Sequence, residues 1–100
     1  MRARVATFDY ASSEPEDVRR GFEEIKQRAG GGPPDGLPLV GLLDLYNPGN
    51  GKVLSIALFQ TEEDLRQGDA TLSSMDPPRS GATGRRVSVE LYEVGVKIGT

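Results

Sequence analysis

Six side chains capable of acid–base work or directed hydrogen bonding stand in strand-forming stretches: Asp9, Tyr10, Asp44, Tyr46, Glu90 and Tyr92. Asp44 lies within LVGLLDLY and Glu90 within VSVELY, both rich in strand-forming residues. A carboxylate in a strand that is apolar on both faces is costly unless it is paired or protonated. Asp44 and Glu90 are therefore the candidate titratable groups of a site. The tyrosines could orient a phenolic ligand or take up its proton. Each candidate also has an ordinary structural role to set against this. The carboxylates can pair with Arg4, Arg86 or Lys97, or sit at a wet sheet edge, and tyrosines with an apolar body and a solvated tip are common at core margins.

What is missing narrows the chemistry further. The 100 residues include no cysteine, no histidine and no tryptophan. There is thus no thiol nucleophile, no disulfide framework, no thiolate metal site, no imidazole base and no histidine ligand for haem. Neither a metal nor a cofactor is expected. Formal net charge is -3 and the basic residues are scattered apart from the short pairs Arg19-Arg20 and Arg85-Arg86, so no stripe exists to neutralise a run of phosphates. The segment VLSIALF offers no pair of aromatics for base stacking. The glycines at 30 to 32 close a helix rather than open one, and Gly51-Lys52 is followed by valine, so neither is a phosphate loop. Ser80 to Arg86 holds donors and two cations that could capture an anion, with a plain connector as the simpler reading. No window reaches the ~18 apolar residues of a membrane span. The expectation is a cytoplasmic protein that binds neither nucleic acid nor membrane.

The candidates must be positioned by a short list of elements. Residues 3 to 10 read as a first strand. Ser13 and Glu16 have capping-box spacing around Pro15, and Val18, Phe22, Ile25 and Ala29 then form one apolar helical stripe. Gly21 within that stripe suggests close backbone packing, and Gly30-Gly31-Gly32-Pro33-Pro34 supplies left-handed caps and forbids further helix. Strands are expected at Leu37 to Tyr46 and Lys52 to Gln60, joined by the turn cluster Asn47-Pro48-Gly49-Asn50-Gly51. Thr61 to Asp64 repeats the capping pattern, and Leu65, Leu72 and Met75 mark a weaker stripe around Gly68. Asp76-Pro77-Pro78 stops that helix. Arg86 to Ile98 reads as a long last strand with a bulge near Tyr92 to Val94. The order β-α-β-β-α-β, in one domain spanning residues 1–100, is the ferredoxin-like α+β pattern: a four-stranded antiparallel sheet with two helices on one face.

In such a fold the strands should alternate apolar and polar, and the second and third do not. Leu39, Leu43 and Leu45 point one way while Val40, Leu42 and Tyr46 point the other; Val53, Ala57 and Phe59 oppose Leu54, Ile56 and Leu58. Two helices cover one face only, so a second copy is the simplest cover for the other, and a homodimer is expected.

The element order, the apolar hairpin and Leu58-Phe59-Gln60-Thr61-Glu62-Glu63-Asp64-Leu65 at the strand-to-helix junction resemble the antibiotic-biosynthesis-monooxygenase-like group of dimeric α/β barrels. The resemblance implies two sheets closing face to face into a dimeric α/β barrel, with a small-molecule cavity between helices and sheet. Members of that group that oxidise polyketides without a cofactor, or degrade haem, are associated with Asn, Trp and Tyr or Asn, Trp and His. Here Trp and His are missing and both asparagines, Asn47 and Asn50, fall in the hairpin turn, so none of those residues is carried over. Two functions follow. One is a barrel that binds or converts a small aromatic or polyketide-like molecule, as a cofactor-independent monooxygenase or isomerase would. The other is a non-catalytic dimeric module whose polar strand residues are structural.

Overall fold

The computed structural model describes residues 1–30, 32, 36–74 and 84–99. The elements run β1 (Arg2–Asp9), α1 (Pro15–Ala29), β2 (Gly41–Asn47), β3 (Lys52–Phe59), α2 (Glu62–Ser73) and β4 (Arg85–Glu93). The four strands form one sheet in the order β2-β3-β1-β4, every neighbouring pair antiparallel. That is the ferredoxin-like arrangement expected from the element order. The expected stop at Asp76-Pro77-Pro78, the apolar contribution of Met75 and most of the Ser80 to Arg86 loop lie outside the described residues.

Both helices lie on one face. Val18 of α1 packs with Tyr10 and Val53, and Leu65 of α2 packs with Leu37, Ala57 and Phe59. Val53, Ala57 and Phe59 are separated by even steps on β3 and so share a side. Phe59 is wholly buried, which contributes roughly 1.5–3 kcal/mol. Gly68 lies against its ring, and a Cβ there would collide with it. The weak apolar stripe of α2 thus reflects close approach, because a large aromatic fills the space that a side chain on the helix would take.

The local chemistry sets the element ends, not always where expected. The Thr61 hydroxyl accepts a hydrogen bond from the Asp64 N–H at 3.1 Å and caps α2 as its sequence suggests. α1 instead starts behind Glu14, whose side chain makes no capping bond. Pro15 lacks an N–H and has the fixed φ of a first helical residue, so it moves the cap from Ser13 to the residue immediately before itself. Gly30 ends α1 in right-handed conformation, and Gly32 is left-handed, at φ 92.

The hairpin turn is built by its asparagines. Asn47 Oδ1 accepts from the Gly49 N–H and Asn50 Oδ1 from the Lys52 N–H, both at 2.9 Å, while Gly51 takes φ 75 against the backbone of Ala11. Two strands are shorter than expected. Leu37 to Val40 precede β2, because a tight bond from the Leu39 N–H to the Leu37 carbonyl, 2.8 Å, turns Leu37 and Leu39 into the α2-side core. Leu39 therefore does not share a face with Leu43 and Leu45. β4 ends at Glu93, opposite Arg2, where its partner strand β1 begins; Val94 to Ile98 lie beyond it. The bulge is also elsewhere: Thr7 pairs with Ser88 but Phe8 with Arg86, leaving Val87 as the extra residue.

Candidate functional site

Asp44 is held by register. Counting back from the Asn47–Lys52 pair that closes the hairpin places it opposite Ser55, and Ser55 in turn lies opposite Ala6, which lies opposite Val89. This row crosses the helix-covered face between two bulkier ones: Tyr46, Val53, Phe8 and Arg86 on one side, Leu42, Ala57, Arg4 and Leu91 on the other. It also divides the core, since the Tyr10–Val18–Val53 cluster lies to one side of it and the Ala57–Phe59–Leu65 cluster to the other. A carboxyl therefore stands at the head of a row of small side chains between the regions packed by the two helices.

The carboxyl is half-satisfied. Ser55 hydrogen-bonds to it, but Asp44 Oδ1 is buried with no hydrogen-bond partner among the described residues. Burial raises its pKa above the ordinary aspartate value, and the Ser55 bond only partly opposes this. Tyr10, buried at the end of β1, has its phenol pKa raised as well, first by burial and then by the nearby charge of Asp44. Tyr46, two residues from Asp44 on the same face, packs edge-on against Phe22 of α1 with ring centres 5.9 Å apart, and the Arg19 guanidinium lies 6.0 Å from its ring centre. Asp44, Tyr10 and Tyr46 are thus brought together.

Glu90 and Tyr92 are not part of that group. They lie on the opposite, uncovered face of the sheet, aligned with Val5 and Ala3, where the exposed Tyr92 hydroxyl donates to Glu90 Oε2 at 2.8 Å. That bond is the main reason the Tyr92 phenol is raised. The cations that could have paired with the strand carboxylates are engaged elsewhere. Arg4, only 4% exposed, donates from Nε to Asp69 Oδ1 of α2 at 2.8 Å and from Nη2 to the Ser73 hydroxyl at 3.4 Å. Arg86 donates to the carbonyls of Leu72 and Ser73 at the C-terminal end of α2. Lys97 Nζ donates to the carbonyl of Gly99.

Two participants escaped the reading of residues alone. Ser55 could have been found by extending the hairpin register from the turn; Asp69 could not, because the Arg4 pairing depends on how α2 crosses β1. An open groove of about 370 Å³ lies at the end of β1 and β4, lined by Asp9, Ala11, Ser12, Gly84 and Arg85; Asp44 does not line it. Among the described residues no cluster of carboxylates is placed to hold a metal ion, and no helix is long and apolar enough to cross a membrane.

No protein-family model matches the chain, and no curated protein matches it. Among solved structures it is similar to a putative antibiotic biosynthesis monooxygenase from Deinococcus radiodurans, with 14% sequence identity and a TM-score of 0.47 over 100% of this chain and 98% of that one.

Proposed function

We propose that this chain is a homodimeric small-molecule-binding domain in which the Asp44 carboxyl is the polar contact for a small aromatic or polyketide-like ligand. The observation that carries the reading is the buried Oδ1 of Asp44, which has no hydrogen-bond partner among the described residues. An unsatisfied buried polar atom costs about 1–3 kcal/mol, and a ligand hydroxyl or carbonyl arriving at it recovers that cost. Tyr10, Tyr46 and Phe22 supply aromatic surroundings suited to a flat apolar body. With its pKa raised, the carboxyl can donate to a ligand carbonyl while protonated, or take the proton of a hydroxyaromatic when ionised. Cofactor-independent oxygenation is the catalytic form of this reading.

The dimer is supported by the uncovered face. It carries Leu43 and Leu45, 54% and 45% exposed, beside Leu54, Ile56, Leu58 and Val5. A second reading, a dimeric module without chemistry, is favoured by the Glu90–Tyr92 pair, which satisfies itself on the face the dimer would bury.

A thermal-shift screen of hydroxylated aromatics and polyketides tests the ligand role. A true ligand at 100 times its dissociation constant stabilises the fold by about 2.7 kcal/mol. Asp44→Asn should weaken that ligand about tenfold, the cost of one hydrogen bond of about 1.4 kcal/mol. A screen without hits, or a hit indifferent to the substitution, removes Asp44 from the role. Oxygen uptake with the hit separates conversion from binding.

A further inference from the structure

On the helix face the polar groups left without partners follow one another outward from Asp44. Its buried Oδ1 accepts no hydrogen bond among the described residues, and the hydroxyl of Tyr46, two residues and about 7 Å further along β2, makes none there either. Arg19 of α1 comes next. Its guanidinium carbon lies 6.0 Å from the centre of the Tyr46 ring, and no acidic side chain among the described residues pairs with it.

That choice of neighbour is unusual for its position. Glu16 and Glu23 stand three residues before and four residues after Arg19, the spacings at which helical ion pairs form, yet neither meets it. The adjacent Arg20 does take the ordinary course and bonds Asp17 at 3.0 Å. Arg19 and Phe22, also three residues apart, are neighbours on the flank of α1 and both meet Tyr46. Four of the six aromatic residues, Phe8, Tyr10, Phe22 and Tyr46, gather beneath them. A guanidinium over a ring keeps its in-plane N–H donors free, in the fork that matches a carboxylate.

We propose that the ligand of the Asp44 site is an anion: a hydroxyaromatic carboxylic acid whose hydroxyl reaches Asp44 and whose carboxylate is held by Arg19. The inference rests on the ligand role proposed above for Asp44 and names the class of ligand. Charge fixes the orientation. Asp44, when ionised, repels a second carboxylate, so the acid group stays away from it. Arg19 is exposed, so it receives a strongly hydrated group without stripping it of water. Tyr46 adjoins both groups, so a ligand that reaches both carries its hydroxyl and its acid at separate ends of an aromatic body. A cation–π contact that served packing alone would be indifferent to the charge of the ligand.

Isothermal titration with para-hydroxycinnamate, its methyl ester and unsubstituted cinnamate tests this on the natural full-length chain, Arg19→Gln, Arg19→Lys and Asp44→Asn. Glutamine and lysine are good helix formers at an exposed position, so both Arg19 variants should fold. The hydroxy acid should bind the natural chain about fivefold tighter than its ester at low salt, with the gap closing as salt is added. Arg19→Gln should bind acid and ester alike, and Arg19→Lys should keep part of the preference. Asp44→Asn should weaken acid and ester together by about tenfold and leave cinnamate, which lacks the hydroxyl, unmoved. If acid and ester bind the natural chain equally, or the preference survives in Arg19→Gln, the anion assignment is overturned, while Asp44 keeps its role as long as Asp44→Asn weakens both. If none of the three binds by about 1 mM, the anion assignment falls and the Asp44 reading stands or falls on the wider screen.

Discussion

At the residue scale Arg4, which is buried, and Asp44, which is half-buried with a buried Oδ1, have opposite designs on the helix face. Arg4 is engaged: it donates to Asp69 and Ser73 in a part-buried pair whose Asp69 side chain is 34% exposed, so the arrangement reads as structural. Asp44 is hydrogen-bonded by Ser55, but its buried Oδ1 has no partner among the described residues, which reads as a site awaiting a partner. Its raised pKa has a signed consequence. The folded chain binds the Asp44 proton more tightly than the unfolded chain, so this group's contribution to stability falls as pH rises from the ordinary aspartate range through the folded-state value, then levels. Denaturation across pH 3.5 to 8 should show this decline in the natural chain and lose it in Asp44→Asn. The same substitution should lower the Tyr10 pKa, read by ultraviolet titration, because the charge that helps raise it is gone.

At the element scale, capping explains both a success and a miss. Thr61 and Asp64 make the bond their spacing implies, and Thr61→Ala should cost about 1 kcal/mol in equilibrium denaturation with no change in m-value. Ser13 and Glu16 have the same spacing, but Pro15 takes the first helical position and the cap falls on Glu14. A short motif was outweighed by one residue with a locked dihedral angle. The hairpin was legible for a stronger reason: asparagine side chains bonding to nearby backbone need no tertiary support, and once its closing pair is known every cross-strand neighbour follows, Ser55 included. The alternation of the last strand continues to Ile98 whether or not a neighbouring strand is present, but the sheet pairs it only as far as Glu93.

At the scale of the whole molecule the uncovered face is the dominant feature. The natural chain should elute as a dimer at micromolar concentration, and a stable monomer near 10.8 kDa would remove the proposal. Ile56→Lys, at the centre of the leucine patch, should give a folded monomer. The residue is half-buried on the face away from both helices, so a lysine there keeps its head in water and deters a second sheet. An unfolded variant would instead place Ile56 in the core of the single chain.

What the sequence determined by itself was local or additive: the identity and order of the six elements, the hairpin, the cap of α2, and the apolar surplus on both sides of the hairpin. Those depend on neighbours within a few residues and on a period of two or 3.6. Only the tertiary structure decided which candidates belong together. Asp44, Tyr10 and Tyr46 meet because β2 is paired through β3 to β1 and α1 lies over them, while Glu90 and Tyr92 fall on the other face because the bulge at Val87 and the register on β1 place them there. The pairing of Arg4 with Asp69 was likewise settled by the crossing of α2 over β1, a geometry that no spacing along the chain encodes.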